Sequence, residues 1–268
     1  MSAIRDTAFA KLNLALHVRG KRADGRHQLE TLFTFCEGGD ELSVEPDDGL
    51  SCEVSGTDGV DLISGDNLVL RAAYALRAAS GTSGGARMHL TKRLPIASGV
   101  GGGSADAAAA LRLLVDLWDI DPAFAGEVAP RIGADVPACL ISRTCRGTGV
   151  GDELVILDIP GLSGTSVLLI NPRVPLGTAE VFERWDGIDR GPLGDWRIGR
   201  NDLEAAARSL VPQISLILSW LDAQPGATFV RMSGSGATCF ALFDDEEARD
   251  RAASAVPREW WHLATRLR

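Results

Sequence analysis

Residues 95–114 read PIASGVGGGSADAAAALRLL, and this segment restricts the fold most because it joins a nearly bare backbone to a strongly helical run. Glycine fills four of the five positions from 99 to 103. The apolar residues that follow recur at helical spacing, so that one face collects Ala107, Ala110, Leu111 and Leu114. The sequence therefore predicts a glycine loop followed by a helix from about residue 104 to residue 118.

A glycine loop before a helix is suited to hold an anion such as phosphate. The first N–H groups of a helix lack intrahelical acceptors, and the helix dipole favours negative charge there. Glycines let a phosphate approach the backbone closely. Ser104 is predicted to be the N-cap, with a hydroxyl that could face phosphate or Mg²⁺. The alternative is a flexible turn before a capped helix. The segment lacks the spacing of a Walker phosphate-binding loop. It also does not match the Gly-x-Gly-x-x-Gly motif, because Ser104 occupies the position of the last glycine.

The rest of the chain predicts an α+β fold in two domains. Glycine and proline accumulate over residues 146–165, which indicates a boundary between a domain at 1–158 and a domain at 159–268. Periodicity and turn signals predict the other elements. Strands are expected at 8–18, 29–35, 41–46, 86–94 and 165–172, with a strand, glycine turn and strand at 228–245 and a strand at the end. Helices are expected at 66–80, capped by Asp66 or Asn67, at 200–224 with a break near Pro212, and at 246–256.

Composition narrows the classes of partner. The formal net charge of −9 disfavours nucleic acid, and no apolar run is long enough to cross a membrane. Charges at Arg5, Asp6 and Lys11 interrupt any signal-peptide core. The five scattered cysteines show no metal spacing, so free thiols in the cytoplasm are expected.

Three ordered motifs resemble those of the GHMP kinase superfamily, named for its galactose, homoserine, mevalonate and phosphomevalonate kinases. They are AFAKLNLALHVRGKRADGRHQLETLF at 8–33, the glycine loop, and VRMSGSGATCFALF at 230–243. RIGADVP at 131–137, FERW at 182–185 and RNDLE at 200–204 are similar to one branch of that superfamily. The resemblance covers nearly the whole chain.

This resemblance implies a fold and a reaction. The implied fold is the two-domain GHMP kinase fold, with an N-terminal domain like domain 2 of ribosomal protein S5 and a ferredoxin-like C-terminal domain. The implied reaction is ATP-dependent phosphorylation of the 2-hydroxyl of a cytidine diphosphate sugar alcohol in the non-mevalonate route to isoprenoid precursors. Expected partners are these two small molecules and the Mg²⁺ that accompanies ATP, without nucleic acid or membrane, in a monomer or homodimer.

The resemblance also implies roles for residues in the transfer step. Asp135, in GADVP, would take the proton of the acceptor hydroxyl, and the alternative from the residues alone is a helix cap. Lys11 would hold Asp135 ionised and neutralise the transferring charge, and the alternative is an exposed solubilising lysine. Asn13 would hydrogen-bond the acceptor. The nucleotide would be held by Pro95, Gly99, Gly101, Gly102, Gly103 and Ser104.

A second implied set would recognise the acceptor. His27 would hydrogen-bond the cytosine edge and Phe182 would stack on the base, with Arg26, where the family usually has tyrosine, close to the other face. Gly234, Ser235 and Gly236 would form a backbone nest for phosphate, or simply a hairpin turn. Asp106 is assigned to the helix dipole rather than to a metal, and no dedicated metal site is expected.

Two other functions remain open from the sequence. One is a different GHMP kinase that acts on homoserine or a mevalonate-pathway substrate, against which the DGRH segment argues. The other is a nucleotide-binding module without activity, against which Lys11 and Asp135 argue.

Overall fold

Two long strands open the chain and pair with each other. The computed structural model describes residues 3–56, 67–96 and 98–268. Strand β1 covers Ile4–Lys21 and β2 covers His27–Asp47. The prediction of separate strands at 29–35 and 41–46 is wrong, because Gly38 and Gly39 continue β2 rather than turn it. A Cβ at Gly39 would collide with the carbonyl oxygen of Ala8, so this glycine allows the backbone of β1 to pass close by.

The chain divides into two compact units, and the long strands contribute one part to each. The first unit comprises Met1–Ala10, Gly39–Leu94 and Gly101–Ser142. The second comprises Lys11–Gly38, Pro95–Val100 and Arg143–Arg268. The boundary expected at 158–159 lies inside the second unit and stays a prediction about folding domains.

The described residues of the first unit form the first part of β1, the second part of β2, two further strands and four helices. Its strand β3 (Leu50–Gly56) is parallel to β4 (Gly85–Lys92), which is antiparallel to the second half of β2. Asn67 caps the first helix by accepting the Val69 N–H at 2.9 Å, whereas Asp66 lies outside the described residues. The helices are α1 (Leu68–Ser80), α2 (Gly102–Trp118), α3 (Ala123–Ile132) and α4 (Val136–Ile141).

Helix α2 is the core of the first unit. The predicted stripe of Ala107, Ala110, Leu111 and Leu114 is buried, and so are the alanines on the adjoining face. Because its apolar surface is wider than a single stripe, α2 needs cover on several sides, and α1, α3 and α4 all pack against it. The alanines therefore serve close helix packing.

The second unit carries two further groups of strands. Strand β5 (Cys145–Thr148) pairs with the first half of β2 and with β6 (Glu153–Ile156), antiparallel in both cases. A separate antiparallel sheet has the order β10-β7-β9-β8. Its strands are β7 (Ser166–Asn171), β8 (Ala227–Met232), β9 (Cys239–Phe243) and β10 (Trp261–Arg266).

The described residues of the second unit also form four helices, and the predicted α+β pattern is confirmed. They are α5 (Thr178–Glu183), α6 (Glu204–Leu210), α7 (Gln213–Asp222) and α8 (Glu246–Ser254). Pro212 separates α6 from α7, as predicted, because a proline inside a helix removes a backbone donor. No helix in the described ranges has the length and hydropathy needed to cross a bilayer. All five cysteines are free.

The close passage of β1 and β2 gives a stability test. Gly39→Ala should lower the free energy of unfolding by about 1–3 kcal/mol, because its methyl group meets backbone rather than a flexible side chain. Gly49→Ala is the matched control, since a Cβ there meets nothing within 4 Å. Urea unfolding monitored by circular dichroism measures both variants. Equal midpoints for the two would contradict the close approach.

Candidate functional site

The first part of the glycine loop, at Ser98 and Gly99, lies in the second unit and is fixed there by the turn that joins β8 to β9. The Thr238 N–H donates to the Ser98 carbonyl at 3.0 Å, and the Ser233 hydroxyl donates to the Gly99 carbonyl at 2.9 Å. Gly99 has a φ of 77°, and a Cβ there would lie 2.5 Å from the Ser233 carbonyl oxygen. A side chain would also be blocked in the turn, where a Cβ at Gly234 would lie 2.9 Å from the Gly99 carbonyl oxygen. Two glycine motifs that are distant in sequence are thus in contact.

Asn201 and Ser235 hold the turn in its shape. The Asn201 side chain donates to the carbonyls of Met232 and Gly234, both at 2.8 Å. The Ser235 hydroxyl lies 3.0 Å from the Thr178 hydroxyl. Asn201 lies in the quoted RNDLE segment, but sequence reasoning gave it no role because its partners are carbonyl groups that the sequence does not mark.

Lys11 and Asn13 are buried together in the same unit. Lys11 is 3% exposed, so the alternative of a solubilising surface lysine is wrong. Its ammonium donates to Asn13 Oδ1 at 3.2 Å and lies 4.5 Å from the centre of the Phe33 ring. The Asn13 amide donates to the Thr31 hydroxyl at 2.7 Å. The Asn13 N–H donates to Ser233 Oγ at 3.2 Å, which ties this pair to the glycine turn.

In the first unit, α2 begins earlier than predicted. Its N-cap is Gly101, at φ 67°, and no side chain caps the helix there. Ser104 lies inside the first turn, so its prediction as the N-cap is wrong, because the left-handed glycine lets the helix begin at Gly102. The Ser104 hydroxyl lies beside Gly133, where a Cβ would be 4.0 Å from it. The helix N-terminus therefore offers backbone donors and one hydroxyl.

A buried charge cluster of Asp40, Lys92 and Asp106 supports this helix terminus. The Lys92 ammonium donates to Asp106 Oδ2 at 2.7 Å and pairs with Asp40 Oδ2. Asp40 Oδ1 accepts the N–H groups of Arg93 and Leu94, at 2.5 and 2.8 Å. The cluster therefore fixes both α2 and the chain that leaves β4. Sequence reasoning missed it, because the three residues share no local spacing.

Burial and charge pairing act in opposite directions on the pKa values of this cluster. Burial raises the pKa of Asp106 to about 7, the attraction of Lys92 offsets part of this effect, and Asp40 adds to the rise. Burial would lower the pKa of Lys92, but Asp106 and Asp40 together hold it above its ordinary value. Asp106 Oδ2 is thus engaged by Lys92, while its Oδ1 is buried without a partner among the described residues.

Asp135 lies at the N-cap position of α4, but its side chain does not cap the helix. The turn that precedes it is closed by the backbone, where the Val136 N–H donates to the Gly133 carbonyl at 3.1 Å. Capping by the carboxylate therefore does not explain Asp135. Its role as a base stays a prediction.

His27 and Phe182 lie together in the second unit. Their rings stack with centroids 4.6 Å apart and planes inclined by 23°. Trp185, which sequence reasoning did not select, meets the same imidazole edge-on at 5.7 Å. Arg26 instead turns to Asp24, with Nη2 2.9 Å from the carboxylate and a side chain that is 62% exposed. The structure thus joins the predicted His27 and Phe182 and adds Trp185.

The environment of His27 favours its neutral form. Burial lowers the pKa of the imidazole below its ordinary value of 6.5, and the nearby positive charge of Lys21 lowers it further. Neutral imidazole carries one donor and one acceptor nitrogen.

Comparison with known proteins places these features in a family. The GHMP kinases N terminal domain model matches residues 67–143, and the GHMP kinases C terminal model matches residues 188–263. Proteins named 4-diphosphocytidyl-2-C-methyl-D-erythritol kinase from Rhizorhabdus wittichii and Novosphingobium aromaticivorans are each 49% identical to the chain. The alignments cover 98% and 99% of this chain and 94% and 93% of the relatives.

Solved structures agree with the sequence relatives. A crystal structure of 4-(cytidine 5'-diphospho)-2C-methyl-D-erythritol kinase superposes with a TM-score of 0.84 at 33% identity, covering 98% of this chain and 99% of the other. Methanococcus jannaschii mevalonate kinase superposes with a TM-score of 0.70 at 10% identity, covering 100% and 98%, and supports the fold alone. The predicted GHMP kinase fold is confirmed.

The lowered pKa of His27 can be measured directly. Its Cε1 proton should titrate with a pKa below 6.5 in an NMR experiment, and Lys21→Ala should move that pKa part of the way back. Because the folded-state pKa is lowered, the stability from neutral His27 is complete above pH 6.5 and is lost as the pH falls through the folded-state pKa. Arg251→Ala, which removes an exposed cation on α8, should leave the titration unchanged. A pKa at or above 6.5 would contradict the assigned environment.

Proposed function

This chain belongs to the GHMP kinase family, and we propose that it transfers the γ-phosphoryl group of ATP to the 2-hydroxyl of 4-diphosphocytidyl-2-C-methyl-D-erythritol. This reaction belongs to the non-mevalonate route to isoprenoid precursors. The observation that carries the proposal is the stack of His27 and Phe182, at 4.6 Å, in a chain similar over its length to kinases of that name. A neutral imidazole beside an aromatic ring suits a pyrimidine base, which needs hydrogen bonds at its edge and contact on its face. Small acceptors such as homoserine need neither.

The phosphates of ATP are assigned to the glycine loop and the start of α2. The residues proposed are those predicted from the sequence, namely Pro95, Gly99, Gly101, Gly102, Gly103 and Ser104. The absence of a side-chain cap on α2 supports this assignment, because the first N–H groups remain available to an anion. Phosphoryl transfer depends chiefly on such positioning and on neutralisation of charge.

Asp135 is proposed to accept the proton of the acceptor hydroxyl while the oxygen of that hydroxyl forms its bond to phosphorus. The carboxylate makes no capping hydrogen bond to α4, so the support for this role is the resemblance of the GADVP segment to the kinase family. Lys11 is proposed to stabilise the negative charge of the transfer, and its burial beside Asn13 supports this role, since lysines are seldom buried without a function or a partner. Asn13 is proposed to contact the acceptor, and Gly234 and Ser235 to contact its phosphates.

Mg²⁺ is expected to enter with the nucleotide. Magnesium in kinases commonly takes most of its oxygen ligands from phosphate and water. The Ser104 hydroxyl, in the first turn of α2, is an oxygen donor that fits this mode. When bound, the ion would neutralise charge on the transferring group.

A coupled ADP-release assay tests the function. With ATP and Mg²⁺, the protein should release ADP when 4-diphosphocytidyl-2-C-methyl-D-erythritol is the acceptor, and at background rate with homoserine or mevalonate. Release with one of the latter two would identify a different GHMP kinase. Nucleotide binding without release for any acceptor would indicate a binding module.

Asp135→Asn tests the proposed base. The variant should lower kcat by about 10²- to 10⁴-fold, because an amide cannot take the proton, and should leave ATP affinity within about twofold. Asp245→Asn is the matched control, since Asp245 caps α8 by accepting the Ala248 N–H at 2.7 Å. Turnover near that of the wild type in Asp135→Asn would remove Asp135 from the mechanism.

Gly102→Ala separates ligand contact from folding. A Cβ at Gly102 would lie 3.5 Å from Lys92 Nζ and 3.8 Å from Asp40 Oδ2, which are ordinary contacts, so the melting temperature should change little. The added methyl should obstruct phosphate at the helix terminus and weaken ATP binding about tenfold or more. Calorimetric titration with ATP and a melting curve measure both quantities. Wild-type ATP affinity in this variant would place the phosphates elsewhere.

A further inference from the structure

Trp185 carries a polar group that the described structure leaves without a partner. The residue follows α5 and its backbone N–H donates to the Phe182 carbonyl at 3.3 Å. Its ring packs against the core of the second unit and meets His27 edge-on at 5.7 Å. Its indole Nε1 is buried, and no described residue accepts its hydrogen. Buried tryptophan N–H groups usually find an acceptor, because an unmade hydrogen bond costs free energy.

The rings of Phe182 and His27 indicate where that acceptor comes from. The His27 imidazole contacts both the Phe182 and the Trp185 rings, so a base held by His27 lies beside both of them. The Watson–Crick edge of cytosine presents an amino donor at N4 and acceptors at N3 and O2. The single N–H of neutral His27 suits N3 as its acceptor. The carbonyl oxygen O2 then remains without a donor.

We propose that Trp185 is a further substrate-binding residue, whose indole N–H donates to O2 of the cytosine held by His27. This inference rests on the proposed function and extends it by one contact that the sequence did not reveal. Because Nε1 is buried, the base reaches it only when a side chain beside it moves. Such a movement takes place at the edge of the core, because Phe182 and Trp185 pack against it but are both only half-buried.

The contact predicts a selective loss of affinity. Trp185→Phe keeps an aromatic ring against His27 and removes only the donor. Its Kd for cytidine 5′-diphosphate, measured by calorimetry, should rise about five- to tenfold, which is the usual net effect of one neutral hydrogen bond. Its affinity for ATP and its kcat at saturating acceptor should stay within twofold of the wild type. Trp220→Phe is the matched control, since Trp220 also makes an edge contact, with Trp260 at 6.0 Å, and should bind both ligands normally.

A change in the ligand tests the same bond without depending on how the variant folds. In 2-thiocytidine 5′-diphosphate, sulfur replaces O2 and accepts hydrogen bonds weakly. The wild type should bind this analogue about five- to tenfold less tightly than cytidine 5′-diphosphate, whereas Trp185→Phe should bind the two equally. Equal affinity of the wild type for both ligands, or an unchanged Kd for cytidine 5′-diphosphate in Trp185→Phe, would overturn the inference.

These measurements distinguish an error in the proposed function from an error in the proposed Trp185 contact. If the wild type neither binds cytidine 5′-diphosphate nor phosphorylates the cytidylated acceptor, the proposed function fails and the role of Trp185 fails with it. If the wild type does both and Trp185→Phe matches it throughout, the role of Trp185 alone is wrong.

Discussion

The close approach of the Gly99 backbone to the turn that joins β8 and β9 is the constraint on which the rest of the second unit depends. Ser233 lies at its centre, because its hydroxyl donates to the Gly99 carbonyl and accepts the Asn13 N–H. Asn13 in turn holds the Lys11 ammonium. Glycine is required where the chains meet, since a Cβ at Gly99 or Gly234 would lie less than 3 Å from opposing backbone oxygen. Backbone contact at one point thereby positions a buried cation and an amide.

In the first unit, a buried ion cluster fixes the position of the start of α2. Lys92 joins two carboxylates from distant parts of the sequence, and a Cβ at Gly102 would lie 3.5 Å from its ammonium. Buried ions are stable only when paired and hydrogen-bonded. The cluster therefore holds the start of α2 in a defined place while leaving its backbone donors uncapped. Phosphate at the site proposed here would be bound with little reorganisation, which suits phosphoryl transfer.

Local sequence signals were sufficient for most elements and for the two glycine motifs, whereas long-range packing escaped them. The Gly38-Gly39 pair resembles a turn, yet it continues β2 because β1 passes against it. Ser104 has the chemistry of an N-cap, but the left-handed conformation of Gly101 starts the helix earlier. The strands β3, β5 and β6 are only four to seven residues long and α3 contains Pro130, and these elements were not predicted. The partners Asp40 and Trp185 are set by packing across many residues, which one sequence does not record.

The position of the transferred phosphate tests the account most directly. The 2-hydroxyl of the proposed acceptor is on a carbon that bears a methyl group and no hydrogen. A phosphate placed there has no proton three bonds away, so its resonance in a proton-coupled ³¹P NMR spectrum of the reaction should be a singlet, beside an intact diphosphate. A doublet would place the phosphate on a secondary hydroxyl and a triplet would place it on a primary hydroxyl, and either would contradict the proposed reaction. The absence of any phosphomonoester signal would contradict it as well.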